Sequence, residues 1–200
     1  MKRTSSVLAL AAALLFGASV SHATILTFGA TLDGPTEGTP SLGTGFARVI
    51  VDDVADTMHV MATFSGLTTP TAAAHIHCCT PTAFSGTAGV ATTTPSFPGF
   101  PLGVTSGTFD NTFDLTLASS YNPAFVSANG GTPASAEDAL IAGMLAGRTY
   151  FNIHTTQFPG GEIRGFLAVP EPSLISLLAL GLAAGLIATR RKTRLTAGHG

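Results

Sequence analysis

The stretch "GFARVIVDDVADTMHVMATFSGL" constrains the fold of this 200-residue chain more than any other. Met58, Val60, Ala62 and Phe64 alternate with His59, Met61 and Thr63. An extended chain repeats every two residues, so the two sets lie on opposite sides of a strand, one apolar and one mixed. Residues 46–51 carry a second apolar-rich run, and residues 52–56 between them include Asp52, Asp53 and Asp56. The reading is a β-hairpin with arms at 46–51 and 57–64. A strand pair with one apolar face needs a second layer to cover it, so a layered β domain is expected.

Other segments repeat the period. "TILTFGATLDG" ends in the turn-forming Asp33-Gly34, while "TAAAHIH" and "GTFDNTFDLTLASS" read as single strands. "RTYFNIHTTQFPGGEIRGFLAV" reads as a hairpin turning at residues 158–161, with Tyr150, Asn152 and His154 on one side of its first arm and Phe151 and Ile153 on the other. Residues 80–107 are rich in Thr, Pro, Gly and Ser, with Phe84, Phe97 and Phe100 spaced among them. The prolines argue against central strands there, and an irregular loop of that length points to a role in function. One helix is expected, with Ser135 as N-cap, Glu137 and Asp138 in its first turn, Leu140, Ile141, Met144 and Leu145 apolar, and Gly147 as its stop. Roughly seven short strands and one short helix make a mainly β fold, an antiparallel immunoglobulin-like or superoxide-dismutase-like β-sandwich.

The two ends differ from this body. Residues 1–23 have Lys2 and Arg3, an apolar run over 7–20 and then Ser21-His22-Ala23, the pattern of a secretory signal peptide cleaved after Ala23. Residues 24–168 are then the β domain. Residues 169–194 hold Pro170-Glu171-Pro172, an apolar stretch over 174–188, and Arg190, Arg191, Lys192 and Arg194; a short tail, 195–200, follows. As a helix the apolar stretch is about 24 Å long, a little under the ~30 Å hydrocarbon core of a bilayer. Arg190, Arg191 and Lys192 would stop transfer and stay cytoplasmic, leaving the β domain outside. This three-part pattern resembles the PEP-CTERM sorting signal of Gram-negative bacteria. The resemblance implies an exosortase-type processing peptidase as partner, transient anchoring in the inner membrane, removal of the tail, and delivery to the cell surface or extracellular polymer matrix.

Between the end segments the cations are Arg48, Arg148 and Arg164 against ten carboxylates, a net charge of about −7 with no lysine. Nucleic acid is therefore not expected as a partner, because its binding rests on Lys and Arg neutralising phosphates.

The chemistry concentrates in "AAAHIHCC". On a strand, His75 and His77 point to the same side about 6 to 7 Å apart. They can converge on one ion held at about 2.0 to 2.1 Å if a neighbouring strand supplies a third ligand. "GLTTPTAAAHIH", followed about 75 residues later by "TYFNIHTTQFPGGEIRGFL", resembles the CHRD domain, named for chordin and found widely in bacterial exported proteins. The resemblance spans most of residues 26–167 and implies an extracellular β-sandwich module without catalytic residues; "CCTPTAF" is where the chain departs from the general pattern. Since both histidine motifs recur together in that family, His154 is the natural third ligand, with His59 a weaker fourth candidate. Three imidazoles with an open position suit Zn or Cu. The competing reading is that these histidines are partly buried and hydrogen-bonded, locking loops.

Cys78 and Cys79 are a disulfide candidate: outside the cytoplasm they could close on each other, bridge to another chain, or stay buried and reduced. No nucleophile elbow, phosphate-binding glycine loop or Cys-x-x-Cys is present in the sequence. The likeness to Cu/Zn superoxide dismutase is one of architecture, and its second histidine cluster and zinc-binding aspartate have no counterpart, so dismutase activity is not expected. The sequence thus reads as an exported, non-enzymatic surface or matrix module with a structural or ligand-binding role. The alternative is a Cu- or Zn-binding, redox-active exported protein.

Overall fold

A computed structural model describes residues 25–170. The expected signal peptide, most of the sorting segment with Glu171 and Pro172, its apolar helix and the stop-transfer residues Arg190, Arg191 and Lys192 lie outside the described residues. Among the described residues no helix is long and apolar enough to cross a membrane.

Seven strands are described: β1 (Ile25–Asp33), β2 (Thr44–Asp52), β3 (Thr57–Ser65), β4 (Thr71–Cys78), β5 (Gly107–Asp114), β6 (Thr149–Thr155) and β7 (Ile163–Phe166). Every neighbouring pair is antiparallel, in the order β4-β6-β7-β1-β2-β3-β5. The predicted hairpin is β2–β3, with Val49 opposite Val60 and Val51 opposite Met58. Alternation holds as expected: Met58, Val60, Ala62 and Phe64 are buried, and Phe28, Ala30 and Leu32 on β1 join them.

The sheet curls around this apolar side. Phe97, from the long segment before β5, stacks on Phe109 of β5 at 5.8 Å and on Phe151 of β6 at 6.0 Å, and packs at a tilt against Phe113 of β5 at 5.1 Å. Phe97 thus spans strands near opposite ends of the sheet order, and both halves share one core. The architecture is mainly antiparallel β and sandwich-like, as the sequence led one to expect. The segment before β5 is an irregular cover pinned by isolated bridges at Val90 and Thr92, with Phe97 and Phe100 buried and Phe84 exposed.

The single-helix expectation needs correction. Among the described residues there are, besides α3 (Pro133–Leu145), two shorter helices, α1 (Gly34–Glu37) and α2 (Pro123–Ala128), and a 3-10 turn at Ala118–Ser120. Both short helices follow an Asp or Asn cap and a proline in the first turn: Asp33 Oδ1 accepts from the Thr36 N–H at 2.7 Å, and Asn122 Oδ1 from the Ala124 N–H at 3.0 Å. One or two turns are too short to show an apolar period. The cap of α3 is Thr132, not Ser135. Ser135 is the third helical residue, and the two close a capping box, with Pro133 pre-set for the first turn. Gly147 does follow the helix end, at φ +64°, where a side chain would be strained.

Candidate metal centre

β4 pairs with β6 in a register that sets Ala73 opposite His154, His75 opposite Asn152 and His77 opposite Tyr150. Period two then places His75 and His77 from one strand, and Tyr150, Asn152 and His154 from the other, on the side facing away from Ile76, Phe151 and Ile153. This outer side is nonetheless covered: His75, His77 and His154 are 6, 7 and 8 % exposed. Candidate ligand nitrogens of the three rings lie within 4.8 Å of one another.

Hydrogen bonds fix which nitrogens are free. His75 Nε2 meets the Pro95 carbonyl at 2.6 Å, His77 Nδ1 the Ala88 carbonyl at 2.9 Å, and His154 Nδ1 the Pro159 carbonyl at 3.0 Å. A carbonyl only accepts, so in each contact the ring nitrogen donates. A neutral imidazole has one N–H, and that donation leaves lone pairs on His75 Nδ1, His77 Nε2 and His154 Nε2. Burial, with the neighbouring His154 adding to it at His75, lowers both His75 and His77 to about 4, and burial also lowers His154. All three rings are therefore neutral at pH 7.

With those tautomers, two lone pairs face each other, His75 Nδ1 and His154 Nε2 at 3.2 Å, while His77 Nε2 is buried without a partner. Two acceptors at hydrogen-bond distance repel unless something positive lies between them. Turning His75 to the other tautomer would repair that contact and leave a lone pair against the Pro95 carbonyl at 2.6 Å. No assignment of neutral rings satisfies every contact. A cation does: ligands about 2.0 to 2.1 Å from a tetrahedral ion are about 3.3 Å apart.

The surroundings orient the rings. His77 stacks on Tyr150 with centroids 4.7 Å apart and planes at 10°. The Tyr150 hydroxyl donates to the Ala88 carbonyl at 3.1 Å, the same oxygen that holds His77. Beyond β6, Arg164 lies in register with Asn152, its Cζ 4.8 Å from the Tyr150 centroid, and its Nε meets Glu37 Oε2 at 3.1 Å.

His59, the weaker fourth candidate, does not belong here. It stands on β3, with four strands between it and β4, and binds Asp110 Oδ1 at 2.7 Å on the open side of the sheet. Cys78 and Cys79 are disulfide-bonded to each other at the end of β4 and pack against Gly143 of α3 rather than facing the histidines. Sequence reasoning found the three histidines but not the backbone carbonyls of Ala88, Pro95 and Pro159 that set their tautomers, since a main-chain acceptor leaves no residue-type signal. Close by, Arg164 pairs with Glu37, and the fully buried Glu162 ties Ser41, Thr68 and Thr155 together at 2.6 Å each.

Residues 28–167 match the CHRD domain, and residues 168–192 match the PEP-CTERM protein-sorting motif. No curated protein and no solved structure matches the chain. The sorting motif marks an exported protein, recognised by exosortase processing machinery and held at the membrane in transit before it is sorted to the surface. The CHRD match takes in β4, β6 and all three histidines and covers well over half of the sequence, as the two histidine-bearing motifs implied: the chain belongs to the CHRD domain family.

Proposed function

We propose that this is a surface- or matrix-associated binding module, not an enzyme, whose His75, His77 and His154 hold one Cu or Zn ion. The reading rests on one observation: three carbonyl-locked neutral rings turn their lone pairs inward, with two of those nitrogens 3.2 Å apart. A buried polar atom left without a partner costs about 1–3 kcal/mol. A bound cation would satisfy His77 Nε2 and convert the facing lone pairs from a repulsion into two bonds. Neither of the two matched families is enzymatic, which favours binding over catalysis. Export supports the same view, since a site outside the cytoplasm loads from the metals available there.

The same ring–carbonyl bonds favour a second reading, in which the histidines only fasten the cover over β4 and β6. Elemental analysis of the exported protein separates the two. The metal reading predicts close to one Cu or Zn per chain, lost in His77→Ala and in His154→Gln. Unchanged metal content in both variants, or none in the parent, would leave only the fastening role.

A further inference from the structure

The ligand set itself discriminates between ions. All three donors are neutral. Among the described residues no carboxylate or thiolate joins them, and the nearby cysteines are tied up in their disulfide. A bound ion would therefore keep its whole charge in a site where each ligand is at most 8 % exposed. The cost of burying an ion rises with the square of its charge, so a dication costs about four times what a monovalent ion does. A nearby cation adds to this cost. Arg164 lies against the face of Tyr150, on which His77 stacks; its charge is balanced by Glu37, but its Nη1 is buried and unpartnered.

Coordination number points the same way. Zn(II) is almost always four-coordinate, so beside three histidines it must admit a water as fourth ligand under the cover. Cu(I), a d10 ion like Zn(II), is content with three nitrogens.

Resting on the metal-binding reading above, we infer that the site is built for a monovalent soft cation, Cu(I), in preference to Zn(II). Pairwise N···N distances of 3.2 Å to at most 4.8 Å mean that shifts of about 1 Å in the rings would close it around such an ion.

The test uses the full-length chain in mild detergent, stripped of metal, in chloride-free buffer. Ag(I), an air-stable monovalent stand-in for Cu(I), and Zn(II) are titrated separately and in competition, in the parent and in His77→Ala and His154→Gln. The expected result is one histidine-dependent equivalent of Ag(I) that roughly a hundredfold excess of Zn(II) fails to displace. Zn(II) displacing Ag(I) at equal concentration would overturn the monovalent preference and leave the three-histidine site standing. Binding of neither ion in a histidine-dependent way would overturn the preference and the site together.

Discussion

On β1, β2, β3 and β5 the outward side chains, among them Thr31, Phe46, Arg48, Thr63 and Asp110, meet solvent; on β4 and β6 the outward side chains His75, His77, Tyr150, Asn152 and His154 are all buried. The two regions belong to one sheet and share one core, so the inner side does not distinguish them. The difference is the cover. Backbone carbonyls of Ala88, Pro95 and Pro159 reach over β4 and β6 and take the ring N–H groups, whereas the opposite half is bare. A polar group under a cover must find a partner or lose about 1–3 kcal/mol. Buried polar side chains on an outward face therefore mark where the chain has reason to build a site, and alternation with solvent marks where it has none.

The contrast is sharpened first in the core. Phe151→Ala, at a fully buried ring stacked on Phe97, should cost about 3–5 kcal/mol in urea unfolding. A cost below about 1 kcal/mol would mean that the covered half is not packed into the shared core.

Next comes the contact that docks α3 on the end of β4. A Cβ at Gly143 would sit 2.5 Å from Cys78 Sγ and 2.6 Å from Cys79 Sγ, so Gly143→Ala should destabilise by about 1–3 kcal/mol in the same assay. A neutral result would show that the helix is free to move away from the disulfide.

Acid should act mainly on the covered half. His75 and His77 are lowered by burial from 6.5 to about 4, and His154 is lowered as well. Between about pH 6.5 and 4 the unfolded chain therefore binds more protons than the folded one, and stability falls as pH drops through that window. Glu37 and Glu137 are raised by burial and titrate in the opposite sense. For the metal-free protein, thermal unfolding should show Tm falling by roughly 5 °C from pH 7 to 4, and Glu137→Gln should enlarge the fall. A Tm that rises on acidification would contradict neutral, buried rings.

The smallest effect belongs to the bare half. Phe46 is 50 % exposed, and Phe46→Ala should change stability by no more than about 0.5 kcal/mol. A loss rivalling that of Phe151→Ala would erase the distinction between the halves.

How much of this the sequence reveals follows the same division. β2 and β3 are legible because each has one dry and one wet side, and the period appears in residue type. β6 is buried along its whole length, so its alternation separates polar from apolar residues without separating wet from dry. Tyr150, Asn152 and His154 could be placed on one side, but nothing local says that a cover closes over them. The histidine trio was legible because strand geometry sets His75 and His77 side by side and the family motif brings in His154. His59 was misjudged because the sheet order, which separates it from β4, is decided by long-range pairing. The cap of α3 was read three positions too late, since Ser135 has a cap-like side chain but works as the reciprocal partner of Thr132.

The central claim is that three carbonyls hold three neutral imidazoles with their lone pairs turned toward one point. Long-range ¹H–¹⁵N correlation spectra of the histidine rings in metal-free protein at pH 7 measure this directly. The account predicts Nε2–H on His75 and Nδ1–H on His77 and His154, with the three bare nitrogens shifting together on adding one equivalent of metal. Doubly protonated rings, or Nδ1–H on His75 with no shift at the three bare nitrogens on adding metal, would contradict it.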